Sequence, residues 1–155
     1  MKKLLLLLLL LLFSFYGFSQ VKTKEKEMQN MYLSFLKSEG YSGKITSLGN
    51  IFFKKEGDSY YIYVSEDELF FQVFKYLNNK KEGCSRKVKR IVKALMGGEG
   101  YKSLNVLLVN DDCEYIKLSS ESLLANKKDY ESVFSRSINI LGYGEKKIQK
   151  LYSEE

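Results

Sequence analysis

The chain has 155 residues, 25 basic and 19 acidic, a formal net charge of +6, and no His, Trp or Pro. That length fits one domain with one core. Without His, the Ser-His-Asp and Cys-His triads, His-ligated zinc and imidazole acid–base catalysis are excluded, and the mild positive charge is too small to imply nucleic acid.

Lys2 and Lys3 precede an unbroken Leu4–Leu12 run, then aromatics and the small residues Gly17 and Ser19. A basic start, a short apolar core and small residues two apart predict a secretory signal peptide over 1–19, cut between Ser19 and Gln20. An uncleaved anchor would need about 20 apolar residues, and Leu4–Phe18 is interrupted by Ser14 and Gly17. No Cys follows the cut to carry a lipid. The expected product is an exported protein, periplasmic or secreted, without stable membrane insertion. Losing Lys2 and Lys3 takes the 25 basic residues to 23, which leaves +4 against 19 acids.

Residues 20–27 read as a polar lead-in. Met28, Met31, Tyr32, Phe35 and Leu36 then recur at three and four, one face of a helix over Glu25–Ser38. Gly40 is its stop. Ile51–Lys55 and Tyr60–Val64, joined by Glu56-Gly57-Asp58, predict a β-hairpin. After the acidic turn Ser65–Glu68, Leu69–Tyr76 is expected as a third strand because Phe and Val favour strands; Leu69, Val73 and Tyr76 also fit a helical period.

Lys80–Cys84 reads as linker and Ser85 as an N-cap. Val88, Ile91, Val92 and Leu95 make the apolar stripe of a second helix, ended by Gly97 and Gly98. Leu104–Val109 is a strand, 110–112 a turn, and Cys113–Leu118 or slightly beyond the return strand. A third helix carries Tyr130, Val133, Phe134, Ile138 and Leu141. Gly142-Tyr143-Gly144 is expected to break it, leaving 142–155 as a short last helix and tail. The order α-βββ-α-ββ-α with short turns predicts an α+β fold: an antiparallel sheet with helices on one face.

Three segments carry a resemblance: Phe35–Tyr41 closing helix one, Asn50–Gly57 opening the hairpin and Tyr61–Glu68 closing it. With the Tyr130–Leu141 helix, they make the chain similar to the YbjN-like, type III secretion chaperone-like fold over roughly 30–141. The resemblance implies an α+β domain over 28–141 with a binding or chaperone-like role rather than catalysis. The leader departs from it, since secretion chaperones act in the cytoplasm, so that particular function is not carried over.

Cys84 and Cys113 are the only cysteines. They are too few for a four-thiolate zinc site and have no C-x-x-C spacing. A helix of about 13 residues spans about 20 Å, and the strand at 104–109 returns about as far. Both cysteines then fall at one end, so a Cys84–Cys113 disulfide is expected, contributing about 3 kcal/mol by loop entropy.

On the second helix Arg86, Lys89, Arg90 and Lys93 face water, either as a solvated face or as a site for an anionic polymer. In the hairpin, if Ile51, Phe53, Ile62 and Val64 point inward, alternation sends Phe52, Tyr61 and Tyr63 outward, joined by Phe70 or Phe74. Such aromatics either stiffen the sheet, lie under the last helix, or form a partner surface. The acidic turns lack the ligand spacing of a calcium loop. No cofactor, metal or catalytic residue is expected. The expected function is a binding domain that engages a protein or peptide, or itself as a homodimer, through Phe52, Tyr61, Tyr63 and Phe70. The alternative is an electrostatic binder of anionic envelope polymers through Arg86, Lys89, Arg90 and Lys93.

Overall fold

A computed structural model describes residues 24–97 and 103–154. The expected leader, its cleavage site and Gly98 lie outside the described residues. Helix α1 runs over 24–38, so the last part of the expected lead-in is already helical. Met28, Tyr32 and Leu36 are its buried stripe, as a spacing of four requires. Its end is a Schellman turn: Tyr41 N donates to Leu36 O (2.7 Å) and Gly40 N to Lys37 O (3.1 Å). Gly40 sits at φ 81°, a left-handed conformation that costs glycine nothing.

Six strands follow: β1 (Lys44–Ile45), β2 (Ile51–Lys55), β3 (Asp58–Tyr63), β4 (Phe70–Asn78), β5 (Leu104–Val109) and β6 (Tyr115–Leu123). They form one antiparallel sheet in the order β1-β2-β3-β4-β6-β5. The two-residue β1 has no apolar run and left no trace in the sequence pattern. The hairpin turn is two residues, Glu56 and Gly57, both at positive φ (54° and 92°), which matches the right-handed strand twist. Asp58 therefore starts β3 instead of belonging to the turn.

The ambiguous third strand is a strand, paired on both sides, with Ile62↔Val73 and Val73↔Ser120 in register. β6 begins two residues later than expected. Cys113 has φ 56° and cannot extend a ladder, so the strand starts at Tyr115.

The register sends Ile51, Phe53, Tyr60, Ile62, Phe71, Val73, Val106, Ile116 and Leu118 to one face, where they join a single core. Helix α1, α2 (Arg86–Gly97) and α3 (Tyr130–Glu154) all cover this inner face. Tyr32 packs edge-on to Tyr130 (5.0 Å) and lies 5.9 Å from Phe71. The stripe Val88, Ile91, Val92 and Leu95 is buried in the same core. Cys84 and Cys113 are bonded, with their Cα atoms 5.0 Å apart.

The expected break at 142–144 does not occur. α3 is one helix of 25 residues, and the expected domain boundary at 141/142 falls inside it. The glycines have another use. A Cβ at Gly144 would sit 3.0 Å from Leu104 Cδ2, so its absence lets the helix lie close on β5. Gly142 has open space around it. There Gly only weakens the helix, and Gly142→Ala is expected to raise stability by about 1 kcal/mol, read as a higher urea midpoint. A lowered midpoint would show that the helix needs flexibility at 142.

Candidate functional site

The outer face of the sheet carries the candidate site. Alternation fixes which residues stand there. One ladder row runs Lys44, Phe52, Tyr61, Phe74, Ser119 and Asn105 across all six strands. The next row brings Tyr76, Lys117 and Leu107 together, and further rows hold Tyr63 with Gln72 and Glu121, and Phe70 with Leu123. Phe52, Tyr61, Tyr63 and Phe70 thus all face outward, and Phe74 joins them.

The rings form one cluster of five and a separate pair. Phe52 packs on Tyr61 (5.4 Å), Tyr61 stacks on Phe74 (5.1 Å, 11°), and Tyr76 bridges Tyr61, Phe74 and Tyr115. Tyr63 lies 6.3 Å from Phe70. Lysines lie over several ring faces: Lys44 over Phe52 at 4.9 Å and Lys117 over Phe74 at 4.3 Å. This packing shields Phe74 almost completely but leaves Tyr63 and Tyr76 each 42% exposed, with Leu107 at 48% and Leu123 at 82%.

The last helix does not cover this face. It packs inside, where Glu145 pairs with Lys75. Burial pushes the Tyr76 phenol up, helped by Tyr61. Burial lowers Lys117, with Glu121 opposing.

Tyr76, Tyr115 and Lys117 were not singled out from the sequence. Their signal was the same period of two, carried past the hairpin into β4 and β6.

The other expected site is also on the surface. Arg86, Lys89, Arg90 and Lys93 are exposed along one stripe of α2. The neighbouring Lys87 turns instead to α3, where its Nζ donates to Tyr152 O at 2.9 Å. The turn at 65–68 is held by its own polar groups: Asp67 Oδ1 accepts from Leu69 N, and Glu68 lies 3.8 Å from Lys24 and 3.9 Å from Lys127. Among the described residues, no group of three or more Cys, Asp or Glu could hold a metal ion. No helix among them is long and apolar enough to cross a membrane.

An antiparallel sheet with helices on one face in the order α-ββββ-α-ββ-α is a chaperone-like α+β fold. The chain is similar to a solved structure, the type III secretion chaperone SycH of Yersinia pestis in complex with a stable fragment of YscM2. The TM-score is 0.50 and the identity 13%, over 80% of this chain and 98% of that one. At that identity the likeness shows the fold, which is the one the sequence resemblance implied. No family model and no curated protein matches the chain.

Proposed function

We propose that this is an exported, non-catalytic binding domain that engages a protein or peptide partner through the open aromatic face. One observation carries the reading. The described helices cover one side of the sheet, while the other displays Phe52, Tyr61, Tyr76 and Tyr115 in one ring cluster and Tyr63 with Phe70 as a second pair on the same face.

The inner face already has its own aromatics, Tyr32, Phe53, Phe71, Tyr130 and Phe134, so the core does not require the outer set. A contiguous exposed patch of this kind marks an interaction surface, and Tyr is a favoured interface anchor. The fold neighbour is itself recorded with a protein fragment bound. Export is supported by the leader pattern and by a disulfide, which persists in oxidising compartments.

The test is a photoreactive residue placed at Tyr63 or, separately, at Lys93. Adducts to a protein at position 63, either a partner or a second copy, are the expected result. Adducts only at 93 would overturn the reading in favour of α2. With the captured partner purified, Tyr61→Ala combined with Tyr63→Ala should weaken binding by more than about tenfold, measured by titration calorimetry.

A further inference from the structure

Three lysines point out of the open face, Lys44, Lys54 and Lys117, by the register Lys44↔Phe52, Lys54↔Ser59 and Tyr76↔Lys117. Only one carboxylate among the strand residues shares that face, Glu121, and it is already engaged. It accepts from Gln72 Nε2 at 2.6 Å and from Ser119 Oγ at 3.3 Å.

Lys117 stands in the middle strands, directly across from Tyr76 and two residue pairs from Phe74↔Ser119. Its ammonium rests 4.3 Å from the Phe74 ring centroid, and no carboxylate among the described residues forms an ion pair with it. A half-buried ammonium whose neighbours are rings gains most from an anion supplied from outside, because its surroundings already exclude part of the water.

The ring geometry narrows what that anion can belong to. A base stacks on free ring faces. Here Tyr61 and Phe74 use their faces on each other, and Lys44 and Lys117 occupy others. The phenols of Tyr61 and Tyr76, with ring centroids 5.7 Å apart, remain as hydrogen-bond donors beside Lys117. Leu107 and Leu123 give apolar ground on either side. An extended peptide satisfies all of these at once.

We propose that the open face takes an acidic, extended segment of a protein partner, one Asp or Glu of which docks on Lys117 beside Tyr61 and Tyr76. This rests on the reading of the face as the binding surface, and it names the chemistry that surface selects.

The probes are three labelled peptides of nine residues, the length of β4 and β6. One interleaves Leu and Ser with Glu, and the others carry Gln or Lys in place of Glu. Binding to the whole protein is read by fluorescence anisotropy at low and moderate salt. The Glu probe should bind at least about tenfold tighter than the Gln probe, the Lys probe weakest, and the Glu preference should shrink with salt. Lys117→Met keeps the apolar stem and should bring Glu-probe binding down to the level of the Gln probe. Lys117→Arg should restore the Glu preference, which separates lost charge from lost folding.

Equal binding of Glu and Gln probes by the wild type, or a Glu preference that survives Lys117→Met, would overturn the proposal. So would self-association through Tyr63 that excess Glu probe cannot displace. If adducts form at Tyr63 while the Glu preference is absent, the acidic partner falls and the binding face stands. If adducts form only at Lys93, the face itself falls.

Discussion

Lys75→Ala is expected to lower the free energy of unfolding by about 3 kcal/mol. Lys75 lies in β4 and points inward, with a side chain only 3% exposed. Its Nζ donates to Asp58 Oδ2 at 2.8 Å and to Glu145 Oε2 at 2.7 Å, and it sits 5.0 Å from the Tyr60 ring centroid. It therefore ties the hairpin, the central strand and α3 together at one atom. Removing it leaves two carboxylates facing a gap. The Asp58 side chain is 51% exposed and the Glu145 side chain 23%, so both reach some water. That places the cost at the low end of the range for breaking a buried pair. Lys75→Met, which keeps the volume, should cost less, and Glu145→Gln should cost little in a Lys75→Met background. A double-mutant cycle by urea unfolding measures the coupling.

The pH dependence distinguishes charge from packing. Burial alone would lower the Lys75 ammonium, but the hydrogen bonds to Asp58 and Glu145 outweigh it and hold it above its ordinary value. A raised lysine contributes stability that is full below the unfolded value of about 10.4 and is lost as pH climbs through the folded one. The gap between wild type and Lys75→Ala should thus narrow above about pH 10. Buried phenols act in the same direction. Burial pushes Tyr130 up to about 12, and Tyr32 higher still, so the unfolded chain releases these protons first and alkali favours unfolding. A gap that stays constant from neutral to alkaline pH would mean that Lys75 acts as filler rather than as a charge.

The sequence revealed what is local and periodic. The stripes at 28, 32 and 36 and at 88, 91, 92 and 95 face the core as their spacing demands. Gly57 marked the tight turn, and alternation across it placed Phe52, Tyr61 and Tyr63 outward. What stayed hidden depends on distant partners. Lys75 sits in an aromatic run, and its inward direction follows from strand parity, but its acceptors lie 17 and 70 residues away. No local rule joins them. Gly142 and Gly144 looked like a helix stop because glycine is poor in a helix interior. The reason Gly144 is tolerated, the closeness of Leu104, lies 40 residues back in the chain. Lys117 was legible by position, through the period of two in β6, but its seat 4.3 Å from the Phe74 ring centroid appears only once β4 and β6 are paired.

Removing the disulfide by Cys84→Ser with Cys113→Ser is expected to cost about 3 kcal/mol through the regained freedom of the unfolded chain. The bond closes a separation of 29 residues, from the turn before α2 to the turn before β6. A hydrogen-bond cluster holds the same junction independently. Asn79 Nδ2 donates to Cys113 O at 2.7 Å and to Gly83 O at 2.9 Å, while Tyr152 OH donates to Asn79 Oδ1 at 2.7 Å. With that cluster intact the folded state should keep its shape, so the loss falls on the unfolded ensemble. The variant should show an unchanged native circular dichroism spectrum, a lower urea midpoint and a steeper slope, because an uncrosslinked chain exposes more surface. Treating the wild type with a dithiol should reproduce the same curve. A native spectrum that changes instead would place the bond in the folded architecture. Because Tyr115 and Lys117 follow Cys113 directly into β6, such a change should then appear as weaker binding at the open face, whereas a purely entropic staple should leave that binding as it was.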